Sequence, residues 1–266
     1  YFLPRPTVPL INCEADYKFI KQKAFVSKGV FEKSIKIKDW KKSHEVISGS
    51  NWIATIDEMK SLLRNGFDSE KATRINLFSM ANIPQVRVNT TEEEHNYYQV
   101  ANLQIADNRD LFPELKVHYY FVLKDKPSEI LVNLLNLLPL EGIGGQRSTG
   151  CGQVKGVEIS ETNVFDSIKG DSFIALSKVI PAKKDVKLMG ENTFYKTSIR
   201  GGRIINNSKN MRLKQIRMID EGAVFEKKIE GSVPDLSPDN LSKEASLYLR
   251  YGKAFFIPLP KSINHA

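Results

Sequence analysis

A chain of 266 residues is long enough for two domains with their own cores, and 41% hydrophobic with 26% charged residues excludes a disordered or membrane-embedded chain. Its longest apolar run, from Ile130 to Leu140, is broken by Asn133, Asn136 and Pro139, short of the 18 or so residues of a spanning helix. The net charge of +8 points to a polyanionic partner and says nothing about fold.

The opening Phe2–Pro6 is extended, because Pro4 and Pro6 fix φ and restrict the residue before each. From Asp39 to about Met80 the pattern turns helical. Ile53, Ile56, Met59, Leu62 and Leu63 recur at three- and four-residue spacing, and Thr55–Glu58 offers a capping start. Asp68–Ala81 supplies a further short helix, and the Lys, Ser and Asn content reads as a peripheral insertion at about 35–81. Val86–Val88 and Tyr97–Ile105 predict two strands joined by a polar arm, Asn89–Asn96, with Glu92–Glu94 as a solvated turn at its tip.

Lys116–Leu123 predicts a strand of strong β-formers, with Tyr119, Tyr120 and Phe121. Ser128–Leu138 predicts a helix capped by Ser128, with Ile130, Leu131, Leu134, Leu135 and Leu138 as its buried face. A glycine-rich loop follows, and then a strand over Gln153–Ile159. Beyond a boundary near Asp166–Ser172 the chain reads largely as β, over Phe173–Ile180, Thr193–Arg203, Lys214–Ile219, Ala223–Ile229 and Ala254–Pro258. Leu241–Leu249 is the helical candidate of that half.

The segment Gly142–Gly152 holds five glycines in eleven residues, with Arg147 at its centre. Such a loop lets backbone N–H donors face an anion, and Arg147 can grip phosphate in a charge-assisted, bidentate way. Ser148 and Thr149 add neutral donors, and at Gly145 the expectation is a backbone that needs positive φ. It is not a Walker loop, since Gly152 is followed by Gln153. Nor is it a dinucleotide fingerprint, since the order is helix, loop, strand. The competing reading is a flexible connection that uses glycine for its backbone freedom.

Between Lys178 and Lys228 stand 13 Lys or Arg and 5 Asp or Glu, an excess equal to that of the whole chain. Arg200, Arg203, Arg212 and Arg217 are spaced among strand residues, as in an electrostatic groove and unlike a continuous basic tail. Arg200 and Arg203 flank Gly201-Gly202, which suits phosphate contact or equally a solvated turn.

Catalytic chemistry has little support. His44, His95, His118 and His265 are scattered without metal-ligand spacing, and no paired carboxylates stand out. Cys13 and Cys151 form neither a disulfide framework nor a metal site. The expectation is a cytoplasmic protein without catalytic residues, metal or cofactor.

Several segments resemble one family in its own order. Phe2–Pro6 resembles a Leu-Pro-Lys/Arg-Pro segment. Gly144–Gly152 closely resembles a Gly-Gly-Lys-Arg-Ser-x-Gly-x-Gly loop, with Gln146 at the usual lysine. Ile174–Pro181 resembles the strand opening a second domain. Gln215–Phe225 resembles a Gly-Ser-x-Phe strand with Ala223 in place of serine, and Tyr248–Pro258 resembles a closing Tyr/Arg-Tyr-Gly/Ala-Lys-Pro-Leu/Phe segment. The family is the fourth subunit of the type III-A CRISPR Csm effector complex, within the RAMP superfamily of guide-RNA-binding proteins. Members carry a first strand and helix with an Asp-x-Leu/Ile-Phe-Ser-Ala signature before the Leu-Pro segment. Nothing here matches it, so the resemblance implies that this piece precedes Tyr1.

The resemblance implies an α+β fold of two ferredoxin-like (RRM-like) domains. One covers 1–168, with the helical insertion, and a mostly β domain covers 169–266. It implies antiviral defence as a non-catalytic subunit that holds the crRNA 5′ handle. That subunit would link the large polymerase-like Csm subunit to the Csm backbone subunit, without a membrane partner. The residues expected to meet RNA are Gly144, Gly145, Gln146, Arg147 and Ser148 of the loop, with Lys178, Arg200, Arg203, Lys214 and Arg217 of the basic segment. Asn89–Asn96 or the 35–81 stretch would be a thumb. Two alternatives are a RAMP-type endoribonuclease acting through a histidine near the loop, and an interaction module for an acidic protein.

Overall fold

The computed structural model describes residues 1–10, 13, 16–87, 96–115, 118–206, 209–239, 241, 247–260 and 263. The chain divides into two compact units, Tyr1–Val117 with Ser167–Ala266, and His118–Asp166.

In the first unit, β1 (Phe2–Pro4), β2 (Phe25–Ser27), β3 (Val46–Ser48) and β4 (Trp52–Thr55) form a sheet in the order β1-β2-β4-β3. β2 and β4 are parallel and the other pairings antiparallel. Short helices α1 (Tyr17–Gln22) and α2 (Lys28–Glu32) flank β2. Trp52 is fully buried, donates its indole N–H to the Ile75 carbonyl at 2.8 Å, and packs edge-on to Phe2 with ring centroids 5.6 Å apart. Met59, Ala72, Ile75 and Phe112 complete this core.

Helix α3 (Ile56–Leu63) starts where the sequence places it. Thr55 Oγ1 accepts from the Glu58 N–H, and Glu58 returns a carboxylate to the Thr55 N–H, both at 3.3 Å. The same carboxylate accepts from the Gly29 N–H at 2.8 Å, which ties α3 to the start of α2. Helix α4 (Ser69–Thr73) is capped by Asp68. The 35–81 stretch is not a peripheral insertion. It supplies β3 and β4, and its helical spacing covers residues whose Trp52, Ile53 and Ala54 are buried in the sheet. The polar residues that suggested a peripheral position are the exposed positions between these anchors.

β5 (Phe78–Arg87) and β6 (Asn96–Ile105) pair antiparallel along ten residues each, so the first strand begins eight residues earlier than the sequence pattern indicated. Met80, Tyr97 and Leu103 are exposed on this ribbon. The predicted connecting arm at 89–96 lies outside the described residues save for Asn96.

The second half of the same unit is built on β7 (Ser172–Ala175), flanked by β12 (Val224–Phe225) and β15 (Phe256–Leu259). Between them in sequence, β8 (Thr197–Arg200) and β9 (Arg203–Asn206) pair with β11 (Ile216–Ile219) and β10 (Lys209–Arg212). A small pair, β13 (Gly231–Ser232) with β14 (Gly252–Lys253), closes the set. Phe225 is fully buried and meets Phe256 at 5.1 Å between centroids, within a core of Ala175, Val179, Ile219, Ala223 and Ile229. Asp185 is buried and accepts N–H bonds from Ala182, Glu230 and Gly231. Burial opposes its charge, yet these three donors hold its pKa below the ordinary Asp value.

The two halves meet through a bridge between Thr7 and Ala223, with the Thr7 N–H donating to the Gly222 carbonyl at 2.8 Å. Gly222 has φ 86°, and a Cβ there would stand 2.4 Å from the Arg5 carbonyl oxygen. Only glycine fits this junction.

In the His118–Asp166 unit, α5 (Glu129–Asn136) is capped by Ser128 Oγ and followed directly by α6 (Leu138–Glu141). Its apolar stripe is not a buried face: Ile130 is 74% exposed and Leu134 57%, and Leu131, Leu135 and Leu138 are only half-buried. Two predicted strands are irregular here, 118–123 and 153–159, and Lys116 lies outside the described residues. β-Formers such as Tyr119 and Phe121 make a strand only when a neighbouring strand takes their backbone hydrogen bonds, and none does among the described residues.

The helix expected at 241–249 falls mostly outside the described residues. Among them, the architecture is α+β with several small sheets, and no helix is long and apolar enough to cross a membrane.

Candidate nucleic-acid interface

The glycine loop leaves α6 through Gly142, whose N–H closes the helix on the Leu138 carbonyl at 2.8 Å. The Ile143 N–H then donates to the Gly152 carbonyl at 2.8 Å, which pinches the base of the loop. Gly152 cannot be replaced there: its φ is 71°, and an added Cβ would fall 1.8 Å from the Ile143 carbonyl oxygen. At the tip, Gln146 adopts the left-handed conformation (φ 55°, ψ 32°) and starts a 3-10 turn over Arg147–Thr149. The Thr149 and Cys151 N–H groups both donate to the Gln146 carbonyl.

The N–H groups of Gly144, Gly145, Gln146, Arg147 and Ser148 have no acceptor among the described residues. A run of donors beside a left-handed residue is the arrangement that receives an anion. Arg147 lies over the same turn and donates Nη1 to the Glu141 carbonyl at 3.3 Å and to Glu141 Oε2 at 3.2 Å. Both side chains of this pair are at least half exposed, so it is weak and a phosphate can displace the carboxylate at small cost. Gly145 corrects the expectation for it. Its φ is not positive, and a Cβ would meet nothing within 4 Å. The positive-φ positions are Gly142, Gly144, Gln146, Gly150 and Gly152.

The basic segment forms a bent ribbon. Arg200 pairs with Ile216, while Arg203 pairs with Arg212. Gly201 and Gly202 therefore oppose three residues, Leu213, Lys214 and Gln215, so one extra residue bulges. The Lys214 N–H turns away to the Leu236 carbonyl at 2.9 Å. Arg203 and Arg212 stand directly across from each other, with no ion pair to either among the described residues. Like charges so placed destabilise a free ribbon, and a bound polyanion would relieve that repulsion.

The structure does not gather the other predicted cations with them. Arg217 pairs with Ile199, so it lies on the opposite ribbon face from Arg200, because partners share a face and neighbours alternate. Lys178 donates to Asp220 Oδ1 and sits 2.9 Å from Glu221 Oε2. Its burial works against the charge, but the two carboxylates outweigh it and hold the ammonium pKa above the ordinary lysine value. Asp220 also accepts from Ser198 Oγ at 2.6 Å. Lys214 pairs with Asp239 at 2.6 Å. Sequence reasoning missed these acids because Asp220 and Asp239 meet their lysines only through strand pairing and the chain's return. The loop residues and the ribbon residues belong to different units.

His44 and His118 are exposed, and His95 and His265 lie outside the described residues. Among the described residues no group of three or more His, Cys, Asp or Glu could hold a metal ion. Cys13 and Cys151 are free thiols.

Residues 168–259 match the family model described as the CRISPR Csm4 C-terminal domain. A curated relative, the CRISPR system Cms protein Csm4 of Streptococcus thermophilus, is 23% identical over 183 residues, covering 66% of this chain and 57% of that protein. The chain thus spans little more than half the length of the curated relative it matches. The matched C-terminal domain holds β7, the bent ribbon and the Phe225 core, and the wider match to the relative makes the chain similar to Csm4 proteins beyond that domain.

Proposed function

We propose that this chain is a non-catalytic, crRNA-binding subunit of a type III-A CRISPR Csm effector complex. It holds the 5′ handle of the guide at the loop Gly142–Gly152. The observation that carries the reading is the run of five N–H donors from Gly144 to Ser148, without an acceptor among the described residues, beside Arg147. Backbone donors and one guanidinium recognise phosphate in a folded-back strand without requiring a base pair. The similarity to Csm4 proteins supports a place in a Csm complex, and in this reading the chain bridges a large polymerase-like subunit and a backbone subunit.

The described sheets are compatible with two RRM-like domains, which we take as the underlying fold, with the boundary near residue 168. Arg203 and Arg212 serve as backbone contacts on the ribbon, together with Arg200. Lys178, partly buried and held by two carboxylates, acts in the fold of that region more than on RNA, whereas Lys214, whose pair with Asp239 is exposed on both sides, stays open to phosphate. The cytoplasm, where guide RNA is made and used, is the setting this reading requires.

Crosslinking within the assembled complex, followed by sequencing of the RNA attached to this chain, tests the proposal. Crosslinks at the repeat-derived 5′ end are expected. Crosslinks confined to the spacer-derived part, or cleavage of repeat RNA by the purified chain, would contradict it.

A further inference from the structure

The basic segment 178–228 is not the densest concentration of cations in the chain. Residues 17–42 hold nine lysines and two acidic residues, a net +7 over 26 positions, with no arginine. Part of this stretch is a rigid display and not a tail. Ile35, Ile37 and Trp40 are buried, and the residues between and after them, Lys36, Lys38, Lys41 and Lys42, are exposed. The Trp40 indole N–H donates to the Ile35 carbonyl at 3.2 Å, and the Lys42 and Ser43 N–H groups close turns on the Asp39 carbonyl. The anchors therefore fix where the lysine stems leave the surface.

Four of the nine have carboxylate partners, among them Lys28 with Glu32 at 3.0 Å and Lys33 with Asp57 at 2.5 Å. Lys36 and Lys38 have no ion-pair partner among the described residues, and Lys41 and Lys42 share the single carboxylate of Asp16, at 2.9 and 3.9 Å. Lys33, Lys36 and Lys42, with the hydroxyl-bearing Ser34 and Ser43, line an open groove of about 410 Å³. Asp39 and Glu45 also stand at its wall, so the lining carries three lysines against two carboxylates. In the adjoining helix α1, Tyr17 is 45% exposed and the Lys21 ammonium lies 5.5 Å from its ring centroid.

We infer that the 33–42 lysine surface is a second RNA-contacting site, separate in sequence from the glycine loop and from the ribbon, which takes the phosphodiester backbone of single-stranded RNA without regard to sequence. Lysine ammonium groups are point charges on flexible stems, suited to phosphates at variable positions, whereas arginine forks fix geometry. An exposed aromatic among the lysines is a platform for a stacked base, which favours nucleic acid over an acidic protein surface. The inference rests on the reading of the chain as an RNA-binding subunit.

The test is a salt titration of the purified full chain with a handle oligonucleotide and with a short oligouridylate of equal length. The variants are the triple substitution Lys36→Ala, Lys38→Ala, Lys42→Ala and its lysine-to-arginine counterpart. Removing three phosphate contacts should reduce the log–log salt slope by about 2, at roughly 0.7 per phosphate on a single strand. The reduction should appear with both RNAs and leave the preference for the handle unchanged. The arginine variant should keep the parent slope, which separates charge from folding. A slope unchanged by the alanine variant, in a parent that binds RNA, would overturn this inference alone and assign the lysines to solvent or to an acidic protein. A parent that binds neither RNA would overturn both this inference and the proposed function.

Discussion

The glycine loop and the bent ribbon both present arginine, but they hold it in opposite ways. The ribbon grows out of a packed core: Met218 and Ile219 of β11 are buried, and Val224 and Phe225 follow directly. The loop belongs to a unit of 49 residues, His118–Asp166, in which no apolar side chain is buried. Its shape rests on caps, a backbone pinch and left-handed residues. Beside the ribbon, Lys178, predicted to meet RNA, is held by two carboxylates. In the loop, five N–H donors have no acceptor among the described residues. A census of charge therefore locates a basic region but not a site; the partner of each cation decides that.

The largest expected contrast is in stability. Phe225→Ala should cost about 3–5 kcal/mol, the usual price of emptying an aromatic core position. Leu140→Ala, at a residue 83% exposed beside the loop, should stay within about 0.5 kcal/mol. Denaturant melts of the two variants measure both, and equal losses would break the distinction between a core-anchored ribbon and a cap-anchored loop.

A smaller effect comes from the buried Asp185 under the ribbon's core. Its folded pKa lies below its unfolded value, because the N–H groups of Ala182, Gly231 and Glu230 outweigh the burial that opposes its charge. Its contribution is therefore fully present above the ordinary Asp range, near 4, and is lost as the pH falls through the folded value. Asp185→Asn should cost about 1–3 kcal/mol at neutral pH. It should also flatten the acid limb of stability against pH. An acid limb identical to that of the parent would remove Asp185 from this role.

Smaller again is the ribbon's share of RNA affinity. Arg203→Ala with Arg212→Ala should lower the salt slope for single-stranded RNA by about 1.4. The same double variant should gain a few tenths of a kcal/mol in stability, since a like-charge cross-strand pair is removed. Lys178→Ala should leave the slope unchanged while the pKa of Asp220, now without its ammonium partner, rises. A slope that falls with Lys178 and not with the arginines would reverse this assignment.

Much of this was legible in the sequence where the signal is local. The Thr55–Glu58 capping box, the Ser128 cap and the extended Phe2–Pro4 were read from neighbouring residues and stand as expected. Signals that need a distant partner failed. Ile53 fitted a helical period, but residues 52–55 are a buried strand because β2 and β3 lie on either side. Tyr119–Phe121 has the composition of a strand and forms none without a pairing edge. At the candidate site, the loop was visible as glycine and arginine in one run. The carboxylates on Lys178 and Lys214, and the opposite facing of Arg200 and Arg217, depend on strand register that no local pattern carries. Gly145 shows the same limit at the scale of one residue, since composition cannot tell which glycines have positive φ.

The central claim is that the loop Gly142–Gly152 captures the guide's 5′ handle. The most direct test titrates the folded Arg147→Ala and Gly145→Asp variants with handle RNA and with an unrelated single strand of equal length. Arg147 is exposed, so its truncation leaves no cavity, and a Cβ at Gly145 meets open space, so the aspartate acts through its charge alone. Loss of one charge-assisted hydrogen bond, worth about 1.5–3 kcal/mol, should weaken handle binding by roughly one to two orders of magnitude. The unrelated strand should lose less, and Gly145→Ala should bind as the parent does. Handle affinity undiminished in both Arg147→Ala and Gly145→Asp would contradict the account and leave the glycines a structural role only.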